Sequence, residues 1–210
     1  MKMNRILYLL VLALTALTSC EERPDELDNS LKVGNILLDD NTVISPLGYD
    51  KDRHSAIGVI FYANVDTVLV VGTKEIGKYI YSDSVGTIPN VINDYTSLCG
   101  TENTAAIMSS EFNSPAVEIV KQYQSNVAGW AVPSAGEWKA LANNIAIVRK
   151  SMALVGGDDF LQEQYLSSSQ DGTTAETTEN FYYSVCPMNG FVTSVHKNKM
   201  TRLRAILRIR

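Results

Sequence analysis

The sequence is poor in the residues that most often do chemistry. Histidine occurs twice in 210 residues, at His54 and His196, and cysteine three times, at Cys20, Cys99 and Cys186. No His-Glu-x-x-His run is present, no Cys/His cluster has zinc spacing, and no glycine-rich phosphate loop follows a strand. Gly-x-Ser-x-Gly is absent, so a pair such as Ser168 with His196 has no motif behind it. Neither catalytic residues nor a cofactor or metal site are therefore expected. Cationic charge is also in short supply. Lys and Arg total 18 against 23 Asp and Glu, a formal net charge of -5. A nucleic-acid partner would need a positive surface, so that class is set aside. Long apolar runs are missing too: none reaches the roughly 20 residues that cross a bilayer core.

What is there begins at the N-terminus. Lys2 and Arg5 precede an apolar stretch from Ile6 to Leu17. Its length of about a dozen residues suits the core of a signal peptide, not a membrane span. The stretch ends in Leu17-Thr18-Ser19-Cys20, which resembles the lipobox of bacterial lipoproteins. That resemblance implies cleavage before Cys20 and a lipid on its sulfur. Cleavage would remove Lys2 and Arg5, the only charges before Cys20, and take the formal charge from -5 to -7. Residues 21–31 are rich in Glu and Asp with little to bury, as expected of a solvated tether. Acidic residues directly after the lipidated Cys resemble the surface-export signals of Bacteroidetes lipoproteins. The expected location is the outer membrane, lipid-anchored and facing outward.

Residues 32–210 form a body of about 180, a normal size for one domain. With 45% hydrophobic and 8% aromatic residues it can fill a core. Cys99 and Cys186 would sit in an oxidising compartment, where they either pair or stay as two buried thiols. Val33–Ser45 reads as an N-terminal strand. Ser55–Thr73 reads as a hairpin turning at Asn64-Val65-Asp66. Gly72–Asn113 has little period and reads as a long ordered loop. Ser114-Pro115 then starts one helix. Ser134-Ala135-Gly136-Glu137 fits a capping box opening a second, with Trp138, Leu141, Ala142, Ile145 and Val148 on one face. Tyr165–Ser169, Phe181–Cys186, Phe191–His196 and Leu203–Ile209 read as short strands. In the last, Leu203, Ala205, Leu207 and Ile209 face one way and Arg204, Ile206 and Arg208 the other.

The run Gly129-Trp130-Ala131-Val132-Pro133-Ser134-Ala135-Gly136-Glu137-Trp138-Lys139-Ala140-Leu141 resembles the Gly-Trp…Pro…Glu-Trp signature of C-type-lectin-like domains. The nearest resemblance is to the major paralogous domain group of Fibrobacter and Bacteroidetes surface lipoproteins. Tyr165-Leu166-Ser167-Ser168-Ser169, Leu203-Arg204-Ala205-Ile206 and the Ile57–Tyr62 hairpin strand fit it as well, although Leu166 breaks an aromatic pair usual before the serines. The resemblance covers roughly residues 32–210. It implies an α+β fold, C-type-lectin-like, with two helices packed on mixed or antiparallel sheets, long loops and adjacent terminal strands.

It does not imply one activity. Trp130, Trp138, Pro133, Ser134 and Glu137 read as core and helix-start residues. Formylglycine-generating enzymes share the fold but use a close cysteine pair, and Cys186 stands alone in its region. Calcium-binding lectins use an acid-Pro-amide run; here Ile88-Pro89-Asn90 lacks the acid. Asp158-Asp159 reads as a solvated turn. The expectation is a binding or adhesion module for an unknown glycan or protein, with the membrane reached through the N-terminal lipid. The alternative is a structural subunit of a surface or fimbrial assembly. Tyr182, Tyr183 and the Gly172–Asn180 loop are the candidate exposed face, because tyrosine offers amphipathic contact area at low entropic cost.

Overall fold

The computed structural model describes residues 27–124 and 126–210. It is an α+β arrangement with two sheets and five α-helices among those residues. The first strands are β1 (Ile36–Leu38), β2 (Val43–Ile44), β3 (Ala56–Ala63), β4 (Val68–Gly72) and β5 (Gly77–Tyr79). Helices α1 (Gly100–Met108) and α2 (Pro115–Gln122) lead to β6 (Trp130–Ala131). Helices α3 (Ala135–Asn143) and α4 (Ile145–Leu154) precede β7 (Tyr165–Gln170) and α5 (Ala175–Asn180). The chain closes with β8 (Phe181–Cys186), β9 (Phe191–His196), β10 (Thr201–Leu203) and β11 (Ile206–Arg208). One sheet has the order β2-β1-β3-β4-β11-β6, the other β5-β10-β7-β8-β9.

The hairpin at residues 55–73 is present, with β3 and β4 antiparallel. Its near-continuous apolar run has a reason: both faces of this sheet are buried. Ile60, Val68 and Val70 join one apolar cluster with Trp130, Leu166 and Tyr182. Val59, Phe61, Leu69 and Val71 join a second with Trp138, Leu141, Val148 and Tyr165. A strand with one wet face would alternate with polar residues; a strand covered on both sides does not. Both tryptophans are core, as their place in the sequence suggests. Trp130 is 6% exposed and Trp138 not at all. The Trp138 indole N–H donates to the Leu166 carbonyl at 2.9 Å.

The two helix starts form as read. Ser114 Oγ accepts from the Val117 N–H at 3.3 Å. Ser134 Oγ accepts from the Glu137 N–H at 3.2 Å while Glu137 Oε2 accepts from the Ser134 N–H at 2.7 Å, the two halves of a capping box. Gly136 in this turn is required by close approach, since a Cβ there would lie 2.4 Å from the Ser97 carbonyl oxygen.

Several expectations need correcting. The stretch 33–45 is two short strands, not one; the chain turns at Asn41, whose φ is +66°. The second helix is two, broken at Asn144. The region 72–113 carries β5 and α1 instead of being loop throughout. Helix α1 buries Gly100, Asn103, Thr104 and Ile107, so no apolar stripe marks it. Leu203–Ile209 splits at Arg204-Ala205 and passes from one sheet to the other, although its alternation holds: Leu203, Ala205 and Leu207 join the first cluster and Ile206 the second. The terminal strands are not adjacent, because β3 and β4 lie between β1 and β11. At the end of the expected tether, the Asn35 amide N–H groups hold the Asp28 and Ser30 carbonyls at 2.8 and 2.7 Å.

Candidate functional site

Residues 80–99 follow β5 with no regular structure of their own, yet they are firmly held. Three fully buried polar side chains stand in for a neighbouring strand. The Gln170 amide accepts from the Ile88 N–H at 2.8 Å and donates to the Ile88 carbonyl at 2.9 Å. Asn103 does the same for Ile92, at 2.7 and 3.1 Å. The Lys197 ammonium donates to the Gly86 carbonyl, Gln170 Oε1 and the Thr178 carbonyl at 2.6, 2.7 and 2.8 Å. Burial pushes this amine down to about 8, against the nearby Glu179 charge. Buried backbone must be paired, and here side chains supply the partners.

The loop delivers Tyr95 to the surface, where it is half exposed. Asp94 fixes the turn by accepting from the Thr96 N–H at 2.8 Å and from Ser97 Oγ at 2.9 Å. Tyr95 meets Tyr183 edge to face, with ring centroids 5.7 Å apart. The Lys139 ammonium sits 4.6 Å from the Tyr95 ring centre, within cation–π range. Beside Tyr183, Asp171 accepts from the Thr173 N–H and hydroxyl at 2.9 and 2.6 Å, and from the Ser194 hydroxyl. Burial alone would raise the Asp171 carboxyl, but the Ser194 and Thr173 hydrogen bonds outweigh it and hold it below the usual range. Two aromatic rings and an ammonium thus share one surface, with the buried Asp171 carboxylate beneath Tyr183 as a fixed support.

This surface contains part of the expected face and corrects the rest. Tyr183 belongs to it. Tyr182 does not: it is fully buried, stacked on Tyr81 at 5.0 Å, with its hydroxyl donating to Thr201 Oγ1 at 2.6 Å. Strand alternation forces the split, since neighbours on β8 point to opposite faces. Residues 172–180 are not a loop alone, because Thr174 caps helix α5 within them. Tyr95 carried no sequence signal, since it lies outside any periodic segment. Cys99 and Cys186 are two free, buried thiols. Ser168 is fully buried on β7, and β8 separates it from His196 on β9. Cys20 lies outside the described residues.

The Asp158-Asp159 turn is engaged by protein groups. Asp158 accepts from the Lys74 ammonium at 3.2 Å and the Glu75 N–H at 3.0 Å, and Asp159 pairs with Arg149. Calcium would have to displace these partners to gather its six to eight oxygens. The melting temperature is therefore expected to be the same in EDTA and in millimolar calcium. A rise of several degrees with calcium, lost on Asp158→Asn with Asp159→Asn, would contradict this.

Glu137 supplies a pH dependence. It is fully buried, and burial pushes its carboxyl up to about 7 despite the Ser134 and Gly100 N–H groups and Arg208. Between the unfolded value near 4.5 and 7 the folded state holds the extra proton, so stability from this group is present at acid pH and is lost as pH rises through 7. Glu137→Gln removes this titration. Relative to the variant, the parent is expected to lose about 2–4 kcal/mol between pH 4 and pH 8. Urea unfolding at both pH values reads this out; parallel pH profiles would refute it. No protein-family model and no curated protein matches this sequence.

Proposed function

We propose that this chain is a lipid-anchored binding or adhesion module of the bacterial surface, built on a C-type-lectin-like scaffold. One observation carries the binding reading: the surface of Tyr95, Tyr183 and Lys139, with Asp171 buried behind Tyr183, held by a loop whose backbone is pinned from within. Aromatic faces with flanking hydrogen-bonding and charged groups suit the alternating apolar and hydroxyl faces of a sugar ring, so a glycan is the first ligand class. The scaffold reading is supported by the capping box at Ser134 and by both tryptophans lying in core; the separation of β1 from β11 departs from the pattern it resembles. Anchoring rests on the Leu17–Cys20 lipobox and the acidic residues after it.

A glycan array with the mature protein is the direct test. Tyr95→Ala with Lys139→Ala should lower any signal about tenfold or more, since stacking and cation–π contacts together contribute roughly 1–3 kcal/mol. An unchanged array pattern would move the site elsewhere. Anchoring is tested separately: intact mass of membrane-extracted protein should show acyl addition at Cys20, and Cys20→Ala should release the protein from the membrane fraction.

A second reading, as a subunit of a surface or fimbrial assembly, has its own support. Strand β9 is an edge of its sheet and carries Phe191, which is 62% exposed. Unpaired sheet edges accept strands from other chains. A blank glycan array with outer-membrane proteins recovered on the wild-type chain, but not on Phe191→Lys, would favour it.

A further inference from the structure

A groove of about 790 Å³ runs between α4 and the segment where the described chain begins. Val33, Pro46, Leu47, Ile147 and Leu154 give it apolar walls, and Lys150 stands at its rim. The walls are fixed. Gly34, at φ +92°, lets α4 approach so closely that a Cβ there would lie 2.7 Å from the Ile147 side chain. Ser151 Oγ donates to the Gly34 carbonyl at 2.6 Å, locking the helix to this segment.

Three apolar residues of this lining stand well out into solvent: Leu47, Ile147 and Leu154 are 60%, 49% and 46% exposed. A contiguous exposed apolar patch marks a contact site. Lys150 adds positive charge at its edge, while Lys32 is neutralised by Asp28 at 2.9 Å. Leu27 itself packs at this end of the domain, its side chain 3.1 Å from where a Gly48 Cβ would be.

Chain length says what covers the patch. Six residues lie between Cys20 and Leu27, so the seven steps from one to the other reach at most about 25 Å even when fully extended. If Cys20 carries the lipid, the groove end of the domain is the end held at the bilayer. We propose that the apolar rim around this groove rests on the membrane surface, dipping its leucines into the headgroup layer while Lys150 meets anionic headgroups. This inference rests on the lipid-anchor reading. Apolar side chains flanked by lysine are the ordinary composition of such interfacial contacts, and the anchor supplies the second attachment that one weak contact lacks. The domain would then be held in a set orientation.

The test uses the mature lipidated protein in vesicles of phosphatidylethanolamine and phosphatidylglycerol containing a nitroxide-labelled lipid. A thiol-reactive fluorophore is placed at Leu154→Cys or at Val85→Cys. Cys99 and Cys186 are buried and compete little for it. Val85 is an exposed control on the loop beside Gly86, which bonds to Glu179 and not to the groove. The expected result is loss of emission at 154 and none at 85. Equal quenching at both sites, or none at 154 in protein whose mass shows the lipid, overturns the proposal. A mass without acyl addition instead removes the anchor reading. The groove then stands or falls on co-sedimentation of the mature Cys20→Ser chain with the same vesicles. Binding lowered about tenfold or more by Leu47→Glu with Leu154→Glu supports it, since each buried leucine contributes on the order of 1.5–3 kcal/mol. No binding, or binding the variant leaves unchanged, overturns it.

Discussion

Deletion of residues 203–210 is expected to abolish cooperative unfolding. Strand β11 lies between β4 and β6, so the deletion opens that sheet in its interior, and it also takes Leu203, the last residue of β10, from the other. Leu203, Ala205, Ile206 and Leu207 are each 4% exposed or less. Loss of large buried side chains costs about 2–5 kcal/mol each, before counting the ladder hydrogen bonds. A domain typically has about 5–15 kcal/mol in total. Circular dichroism during heating should show no transition in the truncated chain. A sharp melt near the parent temperature would mean that the two sheets hold without their shared connection.

The second large effect is expected from Gln170→Ala. One amide here pairs the Ile88 N–H and carbonyl and also accepts from Lys197. Truncation leaves two buried backbone groups and one ammonium contact unmet, at about 1–3 kcal/mol for each orphaned group. The expected loss is about 3–5 kcal/mol in denaturant unfolding, and hydrogen exchange should accelerate through residues 80–92. Gln170→Glu separates packing from pairing. It keeps the acceptor for Lys197 but cannot donate to the Ile88 carbonyl, so it should recover only part of the loss. A variant as stable as the parent, with unchanged exchange in the loop, would show that the loop is held by its apolar contacts at Ile88 and Val91.

Much of the frame was legible because its signals are local. Strands β8 and β9 span the residues that their turn signals mark out, and the Ser134–Glu137 capping box places the start of α3. Other elements are invisible for physical reasons. Helix α1 buries Asn103 and Thr104, whose side chains serve Ile92 and Val132, so its inner face reads as polar. The break at Asn144 leaves no trace because Trp138, Leu141 and Val148 remain in one cluster across it. The break at Arg204-Ala205 is hidden in the same way, since alternation continues while the strand changes sheets. The candidate surface was the least legible. Tyr95 gains its partners Tyr183 and Lys139 only through folding, and the side chains that hold its loop come from 80 or more residues further on, as with Gln170, or from α1.

The passage of residues 201–208 from one sheet to the other has a consequence for how the protein is made. Neither sheet can be completed until this segment has left the ribosome, because each awaits an interior strand from it. Early segments meet partners far along the sequence, as when β5 pairs with β10 and β4 with β11, and such distant pairings slow folding. Both sheets therefore close together and last, so completion of the fold is tied to the final segment of the chain and not to any earlier hairpin.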